Sequence, residues 1–266
     1  MDRFTDRLAA SAQRAGGWLC VGLDPEPSKY PKGLGMDDSA EFLQGVIEVT
    51  KDVACAYKPN AAFFEAMGTF GQDVLIDTIA SVPPGIPVIL DGKRNDIGNT
   101  AAKYAEAAFE ELGADAVTVT PYLGRDTVEP FSCYEDKGVF LLCRTSNPTA
   151  GDLQDLDVGG KPLWHRVAEQ AMGWNEHQNL GLVTGATYPD ELAAVRSIVG
   201  DGVPLLIPGV GAQGGDAATT LARGADASGR FAVVNVGRAV LYAGTDDAGQ
   251  EDVQAAARRF AADLSP

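Results

Sequence analysis

The chain has 266 residues, 45% of them hydrophobic, with 21 lysines and arginines against 37 aspartates and glutamates, a formal net charge of −16. That length is ample for a large core and normal for one α/β barrel. The acidic balance argues against nucleic acid and anionic membrane as partners, and no apolar run reaches the roughly eighteen residues of a membrane span.

In chain order, the opening MDRFTDRLAASAQRAGG is charged and amphipathic and lacks the apolar centre of a signal peptide. It predicts a short helix packed on the domain, in a cytoplasmic protein. Eight near-continuously apolar runs follow, as expected of strands buried on both faces. The first four are WLCVGLD (18–24), VACAYKP (53–59), PVILDGK (87–93) and AVTVTPYLG (116–124). The last four are GVFLLCRTS (138–146), LGLVTGAT (180–187), PLLIPGVGA (204–212) and FAVVNVGRA (231–239). Between them AEFLQGVIEVTKDV, TAAKYAEAAFEEL, YPDELAAVRSIV and EDVQAAARRFAADL place apolar residues three and four apart, the period of an amphipathic helix. Gly113 suits a helix C-terminus. Segment 147–163 is the longest predicted loop. Strand–helix alternation repeated eight times predicts one (β/α)8 TIM barrel spanning 1–266, with no second domain.

Cys20, Cys55, Cys133 and Cys143 form no CxxC pair, and three of them lie in strand-like runs. They are expected to be buried reduced thiols rather than zinc ligands. His165 and His177 both fall in a predicted surface helix, which gives a catalytic or metal-binding histidine little support.

Chemistry in such barrels sits at the C-terminal ends of the strands. The polar residues there are Asp24, Lys58, Asp91, Lys93, Ser146, Gln213 and Arg238, with Asp96 just beyond the third strand. Residues two apart on a strand share a face, so Asp91 and Lys93 point together into the mouth and Arg94 points away. Two readings stand for this stretch. Asp96 is a helix N-cap and Asp91–Lys93 a structural ion pair; or the carboxylates hold Lys93 charged, as a poised proton donor.

IPGVGAQGGD (207–216) matches GxGxxG through Gly209, Gly211 and Gly214. Too little chain follows for a dinucleotide-binding half, so a phosphate loop is the better reading, with the helix that begins near Asp216 adding its positive end. Gly237 and Arg238 end the eighth strand, and the arginine can grip phosphate bidentately. A tight turn with a surface arginine is the structural alternative. No histidine stands ready as a base for Ser146, so hydrogen bonding to a substrate amide, or an ordinary turn, suits it better than nucleophilic attack.

Together these residues resemble the orotidine 5′-phosphate decarboxylase family. DGKRNDIGNTA is similar to its Asp-x-Lys-x-x-Asp-Ile signature, with the Lys-Arg form of the second, longer (type 2) subgroup. VGLDPEP, AYKPNAAFFE, TSNPTAG, VTGATYPDEL, IPGVGAQGGD and NVGRAV follow in the family's order, so the resemblance covers nearly the whole chain. It implies that orotidine 5′-monophosphate is decarboxylated to UMP in de novo pyrimidine biosynthesis, without metal or cofactor. It casts Lys93 as the proton donor to C6, Asp91 as the carboxylate beside the departing one, and Lys58 as part of the charged network. Asp96 is implied to cross into a partner's site in a homodimer. Asp24, Lys58, Asp96 and Thr100 match ribose contacts, and Ser146 the pyrimidine amide reader. Gln213 and Arg238, with the glycines Gly211 and Gly237 beside them, match the phosphate grip. Related sugar-phosphate barrels resembling ketogulonate-phosphate decarboxylase or hexulose-phosphate synthase use magnesium and carry an acid where this chain has Lys58. A magnesium-dependent lyase or aldolase and a silent nucleotide-phosphate binder are the rival readings.

Overall fold

A computed structural model describes residues 2–211, 214–244 and 249–266. Its eight strands are β1 (Leu19–Leu23), β2 (Ala56–Pro59), β3 (Ile89–Arg94), β4 (Ala116–Val119), β5 (Gly138–Arg144), β6 (Leu180–Thr184), β7 (Leu205–Pro208) and β8 (Ala232–Val236). Every paired neighbour is parallel, in the order β2-β1-β8-β7-β6-β5-β4-β3. The ring closes between β2 and β3 through the parallel bridges Tyr57–Val88 and Asn60–Asp91. This is the expected (β/α)8 barrel. The strands are buried because helices cover one side and the barrel interior the other.

The helices are α1 (Phe4–Ala15), α2 (Ser39–Thr50), α3 (Ala61–Glu65), α4 (Gly68–Ala80), α5 (Gly98–Glu106) and α6 (Arg125–Ser132). Then come α7 (Gly151–Gln154), α8 (Leu163–Trp174), α9 (Pro189–Val199), α10 (Ala217–Gly224), α11 (Arg238–Leu241) and α12 (Gln250–Asp263). None is long and apolar enough to cross a membrane among the described residues. Gly113 sits left-handed at φ 69°, just past the wide helical turn Ala107–Glu111 that continues α5.

The floor of the barrel, at the N-terminal ends of the strands, is covered by α1. Phe4 and Leu8 are fully withdrawn from solvent, and the Phe4 ring meets Phe140 edge-on at 5.9 Å. A Cβ on Gly138 would lie 2.4 Å from the Phe4 ring, so only glycine lets α1 seat there. The segment after α1 and the end of the last helix meet on this face, where the Trp18 N–H donates to the Leu264 carbonyl at 3.1 Å.

Several expected boundaries move. The fourth run stops at Val119, because Pro121 opens a single 3-10 turn over Pro121–Leu123. The eighth stops at Val236, so Arg238 opens α11 rather than ending a strand. The 147–163 segment is not all loop, since it contains α7 and a small bridge between Asp157 and Pro162. His165 lies in α8, whereas His177 lies in the turn after it. Cys20, Cys55 and Cys143 are buried as expected, but Cys133 caps the end of α6 and is exposed.

Candidate active site

At the mouth of the barrel the charges interlock. Lys58 is the third residue of β2, and its Nζ donates to Oδ2 of Asp91 at 2.9 Å. Lys93 Nζ donates to the other oxygen, Oδ1, at 2.7 Å. Only 4% of the Lys58 side chain and 10% of the Asp91 side chain meet solvent, against 48% for Lys93. Asp91 is thus a buried carboxylate shared by two ammonium groups, one sealed in the barrel and one at its lip.

The titration directions follow. Burial alone would raise the Asp91 pKa, but the charges of Lys58 and Lys93 and their hydrogen bonds hold it well below the ordinary carboxylate range. Burial alone would lower that of Lys58, but Asp91 and Asp24 together drive it above the usual lysine value. At Asp24 burial wins over the pull of Lys58, and the carboxyl is pushed up. Its Oδ1 is withdrawn from solvent with no hydrogen-bond partner among the described residues.

Asp91 and Lys93 do share a face, but not by plain strand alternation. Lys93 is left-handed at φ 44°, and the β3–β4 register shifts between Leu90 and Arg94. Such a conformation costs a non-glycine residue roughly 1–2 kcal/mol and needs support from its surroundings. Thr118 on β4 supplies it: its hydroxyl accepts from the Lys93 N–H at 2.9 Å and donates to Asp91 Oδ1 at 2.8 Å. Arg94 points elsewhere as expected, to Glu65 at 2.6 Å and over the Tyr104 ring at 5.3 Å.

Asp24, Asn235, Gly237, Arg238 and Gly209 line a cavity of about 250 Å³ beside this network. Gly22 lets the strands converge there, because a Cβ on it would stand 3.0 Å from the Gly237 Cα. Gly209, Gly211 and Gly214 all have positive φ, as a sharply turned loop requires. Gly211 does not line the cavity; its open side faces Ala239 at 3.1 Å and Phe260 at 3.4 Å. The helix end expected to attract phosphate is already capped by its own carboxylate, since Asp216 accepts from the Thr219 N–H at 2.8 Å. Gln213 lies outside the described residues.

Ser146, half-buried, follows β5 and packs on Gly185, where a Cβ would come within 2.8 Å of the serine Cβ. The preceding Thr145 is braced by Gln154, which accepts from its N–H at 2.9 Å and donates to its hydroxyl at 2.7 Å. Arg144, also buried, stacks on Tyr188 at 3.9 Å and reaches Asp155 at 3.3 Å.

Asp96 and Thr100 stand apart from this set. Asp96 Oδ1 accepts from the Ile97 N–H at 2.8 Å, and Thr100 is exposed on α5. The N-cap position of α5 belongs to Ile97, so the capping reading of Asp96 fails. Nor is Asp96 among the partners Lys93 has within the described residues of this chain.

Thr118, Gly185 and Asn235 escaped the sequence reading. Thr118 looks like any β-branched strand residue, and a glycine that makes room for a serine carries no local signal. Among the described residues no group of three or more histidine, cysteine or acidic side chains is placed to hold a metal ion. A larger cavity of about 380 Å³, between Tyr30, Phe42, Leu241 and Gln250, lies outside the charged network. A carboxylate flanked by two ammonium groups, one of them half open to solvent, can stabilise a developing anion and deliver a proton to it.

A family model described as "Orotidine 5'-phosphate decarboxylase / HUMPS family" matches residues 17–253. The chain is 53% identical over 262 residues to an orotidine 5′-phosphate decarboxylase of Dechloromonas aromatica (strain RCB), covering 97% of this chain and 95% of that one. A counterpart from Azoarcus sp. (strain BH72) is 50% identical over the same shares of each chain. Among solved structures, Leishmania donovani OMP decarboxylase superposes with a TM-score of 0.86 at 42% identity, covering 97% of this chain and 95% of that one. Leishmania donovani UMP synthase matches with a TM-score of 0.87 at 43% identity, covering 98% of this chain but 57% of that longer one.

Proposed function

The chain belongs to the orotidine 5′-phosphate decarboxylase / HUMPS family, and from that premise we infer that its barrel mouth decarboxylates orotidine 5′-monophosphate to UMP in pyrimidine biosynthesis. The observation that carries this reading is the Lys58–Asp91–Lys93 chain of charges. Loss of CO2 leaves an electron pair on C6 of a pyrimidine ring that has no cofactor to delocalise it. The site must therefore meet that charge as it forms. The Lys93 ammonium, fixed by Asp91 before the reaction begins, supplies a positive charge that needs no reorganisation. It then gives its proton to C6 and regains one from solvent, to which it is half open. Asp91 faces the departing carboxylate; Lys58 keeps Asp91 ionised.

Binding is assigned around this centre. Asp24 and Lys58 are assigned to the ribose hydroxyls from within the site, Asp96 and Thr100 to the same hydroxyls from outside it, and Ser146 to the pyrimidine amide. Arg238, with Gln213 and the turns at Gly211 and Gly237, grips the phosphate. Phosphate lies far from the breaking bond, and its binding energy serves to fix the base.

Asp96 is assigned to a neighbouring copy's site in a homodimer. In support, it lies beside Ile97, which is 62% exposed, and the same mouth carries Tyr122 at 73% exposure. Apolar side chains so placed suit coverage by a second chain. The protein is assigned to the cytoplasm. A magnesium-dependent reading is disfavoured by Lys58, whose ammonium stands 2.9 Å from Asp91 and occupies that carboxylate in place of a metal ion.

The test is the ultraviolet absorbance of orotidine 5′-monophosphate mixed with purified protein in EDTA, at low and high salt. Conversion to UMP by the wild type and not by Lys93→Ala is expected. Persistence of the substrate under every salt condition, restored to turnover by magnesium, would replace this reading with the metal-dependent one.

A further inference from the structure

We propose that Thr118 is a positioning residue for the proton donor: one buried hydroxyl fixes both the backbone of Lys93 and the carboxylate that holds its ammonium. The inference rests on the decarboxylase reading above and extends it to a residue on a different strand.

Thr118 is 1% exposed, the third residue of β4, directly across from the irregular end of β3. Where the β3–β4 register slips, the Lys93 N–H finds the Thr118 hydroxyl at 2.9 Å instead of a strand carbonyl. Regular backbone pairing resumes one residue later, where the Thr120 N–H donates to the Arg94 carbonyl at 3.0 Å. The single hydroxyl proton of Thr118 goes to Asp91 Oδ1 at 2.8 Å, the same oxygen that accepts from Lys93 Nζ at 2.7 Å. The contacts close a ring: Lys93 backbone, threonine hydroxyl, Asp91 oxygen, Lys93 ammonium. Lys93 is thereby tied at both ends.

The tie matters because Lys93 has little else to hold it. Its side chain is 48% exposed, and its backbone is left-handed at φ 44°. A long exposed lysine on an irregular strand end would otherwise sample several positions, and a proton donor misplaced by about 1 Å loses on the order of 100-fold in rate. Thr118→Val keeps the shape and removes both hydrogen bonds. Thr118→Ser keeps both bonds and removes only a methyl group.

The experiment measures kcat and KM for orotidine 5′-monophosphate, UMP affinity, and Tm for the wild type and both variants. The expectation for Thr118→Val is a kcat lowered about 10- to 100-fold, with KM and UMP affinity within about threefold of wild type. Thr118→Ser returns kcat to within about threefold of wild type. A valine variant with wild-type kcat, or a serine variant as slow as valine, would overturn the proposal. Should the valine protein not fold, Thr118→Ala is held to the same criteria against serine. A wild type that leaves the substrate unchanged would instead defeat the decarboxylase reading, so the two failures are told apart.

Discussion

Lys58 and Asp91 form an ion pair of 2.9 Å, nearly sealed from water, on adjacent strands of the barrel. Two charges withdrawn from solvent together are tolerated only as a pair, and removing one leaves the other uncompensated. Lys58→Met should therefore lower unfolding stability by about 3 kcal/mol, at the lower end of the usual range because Lys93 and Thr118 still hold Asp91. Urea denaturation at neutral pH measures this, and a change below about 0.5 kcal/mol would show that Asp91 does not depend on Lys58.

Lys93 separates fold from chemistry. Its side chain is half exposed, so Lys93→Ala should unfold at nearly the wild-type temperature while losing at least about 10⁴-fold in kcat, the combined worth of proton delivery and charge stabilisation. UMP titration of the same protein checks that the site still forms. Wild-type-like turnover by the alanine variant would remove Lys93 from its role.

Asp24 sets stability against binding. Its folded pKa lies above the ordinary value, so the folded state holds its proton more tightly than the unfolded chain. Stability falls as pH rises from the unfolded carboxyl pKa through the raised folded one, and the full cost persists above it. Asp24→Asn should raise stability by about 1 kcal/mol at pH 7, a gain that fades toward pH 3, while KM increases. Thermal melts across that range, with steady-state kinetics, test both halves.

Asp91 and Lys58 shift outward instead, one down and one up. What Asp91 contributes is present above the unfolded carboxyl pKa of about 3.9 and is lost as pH falls through its lower folded value. What Lys58 contributes is present below the unfolded lysine pKa of about 10.4 and is lost as pH rises through its higher folded value. Neither titrates between about pH 5 and 9, so a pH–kcat profile should show no limb from this pair there.

Gly185→Ala tests how Ser146 is seated. The added methyl carbon would come within 2.8 Å of the serine Cβ and 3.0 Å of its backbone, so the Ser146 turn must shift. Activity should fall about tenfold or more, and in the same parameter as Ser146→Ala. Unchanged kinetics in the glycine variant would detach Ser146 from substrate recognition.

Complementation tests the homodimer. Lys93→Ala and Asp96→Asn homodimers should each be nearly inactive. Mixing and exchanging subunits should restore up to about a quarter of wild-type activity, since one site in each mixed dimer is built wholly from wild-type residues. No recovery despite proven exchange would confine Asp96 to its own chain.

The barrel was legible because its strands are buried on both faces and end in polar groups, so composition marks both their course and their mouths. Asp91, Lys58 and Lys93 stood out as charges where apolar residues had just been required. Local chemistry that depends on a neighbour was not legible. That Lys93 is left-handed, and that Thr118 serves it, follows from a register slip between two strands. The helix end at Asp216 read as a phosphate seat because the spacing does not reveal that the aspartate caps its own helix. Arg238 read as a strand residue because the run FAVVNVGRA hides the turn at Gly237.

The clasp of Trp18 onto Leu264 beneath the barrel has a consequence for how this molecule can be joined to others. Both residues lie on the face opposite the charged mouth. A tether, an immobilising support or a covalently attached second enzyme coupled on that face therefore leaves substrate traffic unobstructed, and catalysis should survive the attachment.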